Sequence, residues 1–314
     1  MDRRTFLVAL TPLAAGCFGG QPSEPTPTAT STATETPEPT ATETPEPTST
    51  PTPEASPEAA QHIDEAQDRF TEAVYVFTGG VSDDLLSVTA GTESFQARDV
   101  LLRLDRVQQS IHAAEAAATT DEQRATVDNL DTMQRFLTHA TDAQSWLIDG
   151  HDALTAAYNR LDEFELDDAA NELDDVEAAV DEVSTPTTTI EEELNPESAS
   201  VTDAVSSDEY EQKVTQLSEE TSVLSDLNSA ASDIHEGSSL ISDARDQLDD
   251  DRTDDAASTA NQAFDLLRDV EYQLDRQLSD LSDAADAFED IGDDLLSLAS
   301  NRANEAETIY EQNA

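Results

Sequence analysis

Thiols and imidazoles are few in this chain, so each can be weighed in turn. There is one cysteine, Cys17, and there are five histidines: His62, His112, His139, His151 and His235. A lone cysteine forms no intramolecular disulfide. It is left as a nucleophile, a buried structural residue or a point of attachment. The histidines show neither His-x-x-x-His nor His-Glu-x-x-His spacing, the patterns that set two imidazoles on one side of a helix for zinc. They read as surface residues. Carboxylates are plentiful, and Asp249-Asp250-Asp251-Arg252-Thr253-Asp254-Asp255 offers many oxygens to a cation. An EF-hand loop counted from Asp249 would need Gly at its sixth place and Glu at its twelfth. Those places hold Asp254 and Ala260. The stretch reads instead as a solvated bend whose aspartates favour a helix start. The sequence holds no Gly-rich phosphate loop and no nucleophile elbow. The expectation is a protein that is not an enzyme, with no catalytic residue, no metal site and no cofactor.

Cys17 has a context. Arg3 and Arg4 precede a short apolar run that ends in the small residues Ala14, Ala15 and Gly16. That is the layout of an export signal. The run contains Pro12 and is too short to cross a bilayer. Arg3 and Arg4, followed by Phe6 and Leu7, resemble a twin-arginine signal. Leu13, Ala14, Ala15, Gly16 and Cys17 resemble a lipobox. Together they resemble the exported lipoproteins of halophilic archaea. The resemblance implies that residues 1–16 are removed and that Cys17 is lipidated as the first residue of the mature chain. It also implies a location on the outer face of the cell membrane. The anchor of that family carries two lipid chains, and two hold stably where one binds only marginally. The resemblance speaks to address and anchor, not to activity.

Charge agrees with a salty exterior. The formal net charge is −55, from 70 acidic residues against 15 basic ones. All of those bases are arginine except one, Lys213. Self-repulsion on this scale works against a compact state in dilute salt. At about 1 M salt the screening length falls to roughly 3 Å and most of the repulsion disappears. Phosphate binding needs clustered Lys and Arg, so nucleic acid is not expected as a partner.

Residues 18–57 hold ten prolines and many threonines, with ATETPEPT twice in tandem at 33–40 and 41–48. Such a tract cannot bury a core and favours extended polyproline II. About 40 residues at ~3.1 Å each reach up to roughly 120 Å. With Cys17 it reads as a disordered stalk over 17–57, of a composition resembling O-glycosylated stalks.

The period then becomes helical. Ser56-Pro57 is a helix start, and Ile63, Ala66, Phe70, Ala73, Val74 and Phe77 share a face until Gly79-Gly80. A second helix carries Val100, Leu104, Val107, Ile111 and Ala114 inward, giving a helical pair over 58–118. Residues 119–183 and 206–270 then align without a gap, with sixteen identities in 65 pairs. The matches include Val127/Val214, Leu130/Leu217, Leu137/Leu224, Gly150/Gly237 and Leu161/Leu248. This is a duplicated helical hairpin, with copies at 119–184 and 206–314. In the first copy Val127, Leu130, Met133, Leu137, Ala140, Ala143, Leu147, Leu154, Ala157 and Leu161 line one side of a long helix. A returning helix places Leu173, Val176, Val180 and Val183 inward.

Residues 185–205, with Pro186, Pro196 and a TPTTT run, read as a linker. The second copy is expected to continue as one extended helix through Leu274, Leu278, Leu281, Ala285, Phe288 and Leu295, with Gly292 as its bend. The fold class is therefore all-α: an elongated antiparallel bundle of coiled-coil-like hairpins with an internal duplication. The least charged aromatic patch is Tyr75, Phe77 and Phe95; with Trp146 on the long helix, these are the residues to examine for binding, although core packing accounts for them too. Two functions follow. One is a lipid-anchored surface module that contacts a protein partner, or another copy of itself, through helical faces. The other is an extracytoplasmic binding module for a small ligand or cation.

Overall fold

Among the described residues, seven α-helices form because apolar residues recur every three or four positions and the ends carry caps. In the computed structural model, residues 53–80 and 84–314 are described. The export signal, the lipobox with Cys17 and the tract through residue 52 lie outside them. The helices are α1 (Pro57–Phe77), α2 (Ala97–Ala117), α3 (Asp121–Asp162), α4 (Leu166–Glu193), α5 (Ser207–Asp249), α6 (Thr253–Ser279) and α7 (Glu289–Asn313). Three short 3-10 turns lie at Leu85–Ser87, Pro196–Val201 and Asp283–Phe288. There is no β-strand among the described residues, and none of the described helices is long and apolar enough to cross a membrane.

The starts follow the capping chemistry of the sequence. Ser56 Oγ accepts from Ala59 N with Pro57 in the first turn. Thr120 Oγ1 accepts from Gln123 N, and Ser206 Oγ accepts from Glu209 N. Each satisfies one of the orphan donors of a helix N-terminus. The residues just before α1 are tied to the bundle as well. Thr119 Oγ1 donates to Glu54 O at 2.6 Å. Gln123 clasps the backbone of Ser56 at both ends: its Nε2 donates to Ser56 O at 2.8 Å and its Oε1 accepts from Ser56 N at 3.1 Å. The folded body thus begins ahead of the boundary expected at 57, because these backbone groups have side-chain partners.

Helices pack as successive hairpins: α1 on α2, α3 on α4, and α5 and α7 each on α6. The long helices α3 and α5, of 42 and 43 residues, also touch each other. At 1.5 Å per residue each runs about 60 Å. Every residue of the expected α1, α2 and α3 stripes is buried. On α4, Leu173, Val176 and Val183 are buried as expected, while Ala179 is buried and Val180 only partly so.

The duplication is visible in the backbone. Phe164 and Asp251 are the only non-glycine residues with positive φ, at 62° and 61°, among those described. They occupy matched places at the α3–α4 and α5–α6 corners. Gly150 and Gly237 also match. A Cβ on Gly150 would sit 2.6 Å from Leu224 Cδ2, and one on Gly237 would sit 2.6 Å from Leu267 Cγ. Both glycines are notches that let a leucine of the neighbouring helix approach.

Two expectations are corrected. The segment 185–205 is not a linker: α4 runs through Pro186 to Glu193, and the turn Pro196–Val201 follows. Pro186, Thr187 and Ile190 are buried there. Burial outweighs the poor helix propensity of Pro and Thr, and Thr187 Oγ1 donates back to Val183 O at 2.9 Å. Nor does the second copy end in one extended helix. The chain leaves α6 at Ser279, passes through the turn Asp283–Phe288 and folds back as α7 onto α6. The stripe stays in step across this break because the turn itself buries Ala285 and Phe288. Gly292 does not bend a helix. It makes room for Leu278, whose Cδ2 would lie 2.4 Å from an added Cβ. The turn at 283–288 repeats the one at 196–201 in the register of the duplication, so α7 follows α6 as α5 follows α4.

A branched side chain at the notch must displace a leucine from a filled core. Gly237→Val is expected to cost about 2 kcal/mol or more, with Leu267→Ala recovering part of that loss in the double variant. Urea melts of the three proteins check this.

Candidate functional site

The most unusual chemistry lies on one face of α5. Glu209, Lys213, Gln216 and Glu220 are spaced by four, three and four residues, so they form one polar stripe. Each reaches the chain between α1 and α2. Glu209 Oε1 accepts from Leu85 N at 2.8 Å. Lys213 Nζ donates to Val88 O at 2.7 Å. Gln216 Nε2 donates to Leu86 O at 3.3 Å, and Glu220 Oε1 accepts from Ala90 N at 3.2 Å. Four side chains thus satisfy backbone groups that a buried loop would otherwise leave unpaired.

Lys213 is fully buried. Its ammonium also donates to Gln144 Oε1 of α3 at 2.6 Å and to Gln216 Oε1 at 2.9 Å, which uses all three of its donors. The ring of Phe77 lies 5.5 Å from Nζ. Glu220 is fully buried too, and its second oxygen, Oε2, has no hydrogen-bond partner. Burial pushes Glu220 up to about 7 and Lys213 down to about 8, each opposed by the charge of the other. A buried lysine of lowered pKa is the kind that acts as a base or forms a Schiff base. Here every N–H is engaged and no part of the side chain meets solvent. The arrangement is built to hold the loop.

The sequence-read patch divides. Phe77 is buried and meets Phe95 edge-on, with ring centroids 5.2 Å apart. Tyr75 is exposed, and its ring covers Gly80 so closely that an added Cβ would lie 2.9 Å from it. Gly79 and Gly80 have φ of 67° and 72°, a left-handed turn that only glycine adopts freely. These residues line a groove of about 500 Å³ beside the buried lysine's loop, with Ser87, Val88 and Gln96. Trp146 does not join them. It sits exposed on α3.

The histidines serve locally. His235 Nε2 lies 3.1 Å from Leu166 O, and His151 packs edge-on against Phe288. His139 is held below its usual pKa by burial. No group of three or more His, Cys, Asp or Glu among the described residues is placed to hold a metal ion. The acidic run 249–255 is the α5–α6 corner, where Arg252 pairs with Asp255 at 3.0 Å.

Sequence reasoning passed over Glu220, Gln144 and Gln216 and noted Lys213 only as the single lysine. One signal was available. In the register of the duplication Glu220 stands where the first copy has the core residue Met133, and Gln144 stands where the second has Ala231. Charge or amide at a core register is the mark of a polar network. Comparison with family models, with characterised proteins and with solved structures finds no match to the chain. The features that define it are those of its own fold: a bundle of duplicated hairpins whose second copy carries a buried lysine–glutamate pair.

Removing Lys213 leaves Val88 O, Gln144 Oε1 and Gln216 Oε1 buried without their donor. Lys213→Met is expected to cost about 3 kcal/mol in urea melts, and Lys213→Met with Glu220→Leu to recover little of it, because Ala90 N then loses its acceptor as well. The pH dependence has a definite sign. Glu220 binds its proton more tightly folded than unfolded, so its contribution falls as pH rises from about 4.5 to about 7. Between pH 5 and 7.5 the parent should lose stability relative to Glu220→Gln by more than about 1 kcal/mol. Urea melts of both proteins at the two pH values check it.

Proposed function

We propose that this protein is a lipid-anchored helical module displayed on the outer face of the cell membrane, where it acts by contact and not by catalysis. The observation that carries the reading is Cys17. It is the one cysteine of the chain, and it stands at the end of a short apolar run behind Arg3 and Arg4. Between it and the folded body lies the Thr/Pro tract. Ahead of α1, Glu54 and Ser56 are held to Thr119 and Gln123, which supports a division of labour between anchor, spacer and bundle.

The inside of the bundle supports the same reading. Its most reactive group, the Lys213 amine, is committed to three acceptors. The apolar stripes of α1, α2 and α3 are spent within the core. Contact with a partner, or with another copy, falls to the acidic faces and to the large apolar residues still exposed: Tyr75, Leu102, Trp146, Tyr272 and Tyr310. With a net charge of −55, such faces repel one another in dilute salt and approach in concentrated salt.

Two experiments test the proposal. In cells that carry out this export, Cys17→Ser should appear in the medium or remain unprocessed; the same membrane retention as the parent would refute the anchor. Helical circular dichroism of the purified protein should collapse when KCl is diluted from molar to millimolar. An unchanged spectrum would remove the salt-adapted reading.

A further inference from the structure

The two copies are filled differently at one corner. Phe136 of α3, in the first copy, is fully buried and stacks on Tyr210, in the first turn of α5, with ring centroids 3.9 Å apart. Ile190 and Leu194, at the end of α4, are buried as well. The register of the duplication puts Val223, Ser297, Gln277 and Leu281 at these four places in the second copy. Two aromatic rings and an isoleucine have become a valine, a serine and a glutamine. Val223, Gln277 and Leu281 are only partly buried, and a groove of about 470 Å³ opens against them between α5 and the end of α6.

The chemistry of this groove is specific. Leu227 and Leu278 join Val223 and Leu281 as an apolar wall. The polar groups are mainly acceptors. The carboxylates of Glu219, Asp226 and Asp280 line the groove against a single cation, Arg276, which is turned over the ring of Tyr272 at 6.0 Å. Oε1 of Gln277 is buried there with no hydrogen-bond partner. An apolar wall edged by the unpartnered Gln277 Oε1 and by carboxylates, of which Glu219 already accepts from Ser282 Oγ at 2.5 Å, fits an apolar body that carries donors and positive charge.

We propose that the groove between α5 and the end of α6 binds a small organic cation, an aromatic ring bearing an ammonium group. The ring occupies the space that matches the one filled by Phe136 and Tyr210. The ammonium faces Gln277 Oε1 and the carboxylates of Glu219 and Asp226. This site is independent of the anchoring reading and of the Lys213 network. It makes the second copy the ligand-binding member of the pair and the first its closed counterpart.

The test uses the full-length chain in molar KCl and ligand-observed NMR with phenethylammonium as the probe. Phenylacetate supplies the ring with the opposite charge, and ethylammonium supplies the charge without the ring. Phenethylammonium is expected to bind saturably in the millimolar range, as suits so small a ligand. Each comparator should bind at least about fivefold more weakly. Val223→Phe restores the residue of the first copy and should weaken binding more than about tenfold while helical circular dichroism stays unchanged. Asp226→Asn changes an exposed carboxylate that the core does not use, and it should weaken binding about two- to fivefold. It decides the matter should Val223→Phe lose helicity. Equal binding of the three compounds, or undiminished binding to the variants, would assign the effect to general surface charge and overturn the proposal. No saturable binding to the parent would overturn it as well.

Discussion

The ammonium of Lys213 is the constraint around which this end of the bundle is arranged. A buried charge is tolerated only with full hydrogen bonding and an opposite charge nearby. Val88 O, Gln144 and Gln216 supply the first, and Glu220 supplies the second. Satisfying it draws three separate stretches together: α3 through Gln144, α5 through its polar stripe, and the loop after α1 through its backbone. A hydrophobic residue at 213 would fill the same space without specifying where the loop lies. The polar stripe fixes the register of the loop one backbone group at a time, in a molecule whose other helices meet through interchangeable alanines and leucines.

The duplication supplies the scaffold on which such exceptions stand out. Corners, notches and 3-10 turns recur at matched places, so the backbone of the second copy is a near-restatement of the first. Side chains then diverge where the backbone does not. Met133 gives way to Glu220, Ala231 faces Gln144 in the alignment, and the Phe136–Tyr210 stack gives way to Val223 and Ser297. A repeated fold lets one copy keep a filled core while the other gives up packing for polarity or space. The cost of each cavity is moderated by helices held elsewhere by the common stripes.

Helix placement was largely legible because it rests on short-range periodicity. Ile63 to Phe77 and Val127 to Leu161 lie where a three- and four-residue step puts them. Two breaks were misread, each for its own physical reason. Pro186 reads as an interruption in the sequence, although its burial with Thr187 and Ile190 keeps it inside α4. The break at 280–288 was missed because a stripe that continues in step looks alike whether the chain runs on or doubles back. The lysine network was hidden for a different reason. Whether a polar residue at a core register is satisfied depends on backbone atoms from far along the chain, such as Val88 O for Lys213, and no spacing rule carries that. The aromatic patch was half legible: Phe77 and Phe95 meet, while Trp146, chosen by composition alone, lies apart.

The clasp of Gln123 on Ser56 has a mechanical consequence. Tension on the chain ahead of Pro53 reaches the Thr119–Glu54 bond first, then the paired bonds between Gln123 and Ser56, and only then the cap of α1. Force therefore enters at the start of α3, one of the two longest helices and the one that shares contacts with α1, α2, α4 and α5, and bypasses the free end of α1. The short helix is shielded from unravelling until the clasp gives way. The load is spread from α3 into the helices packed on it.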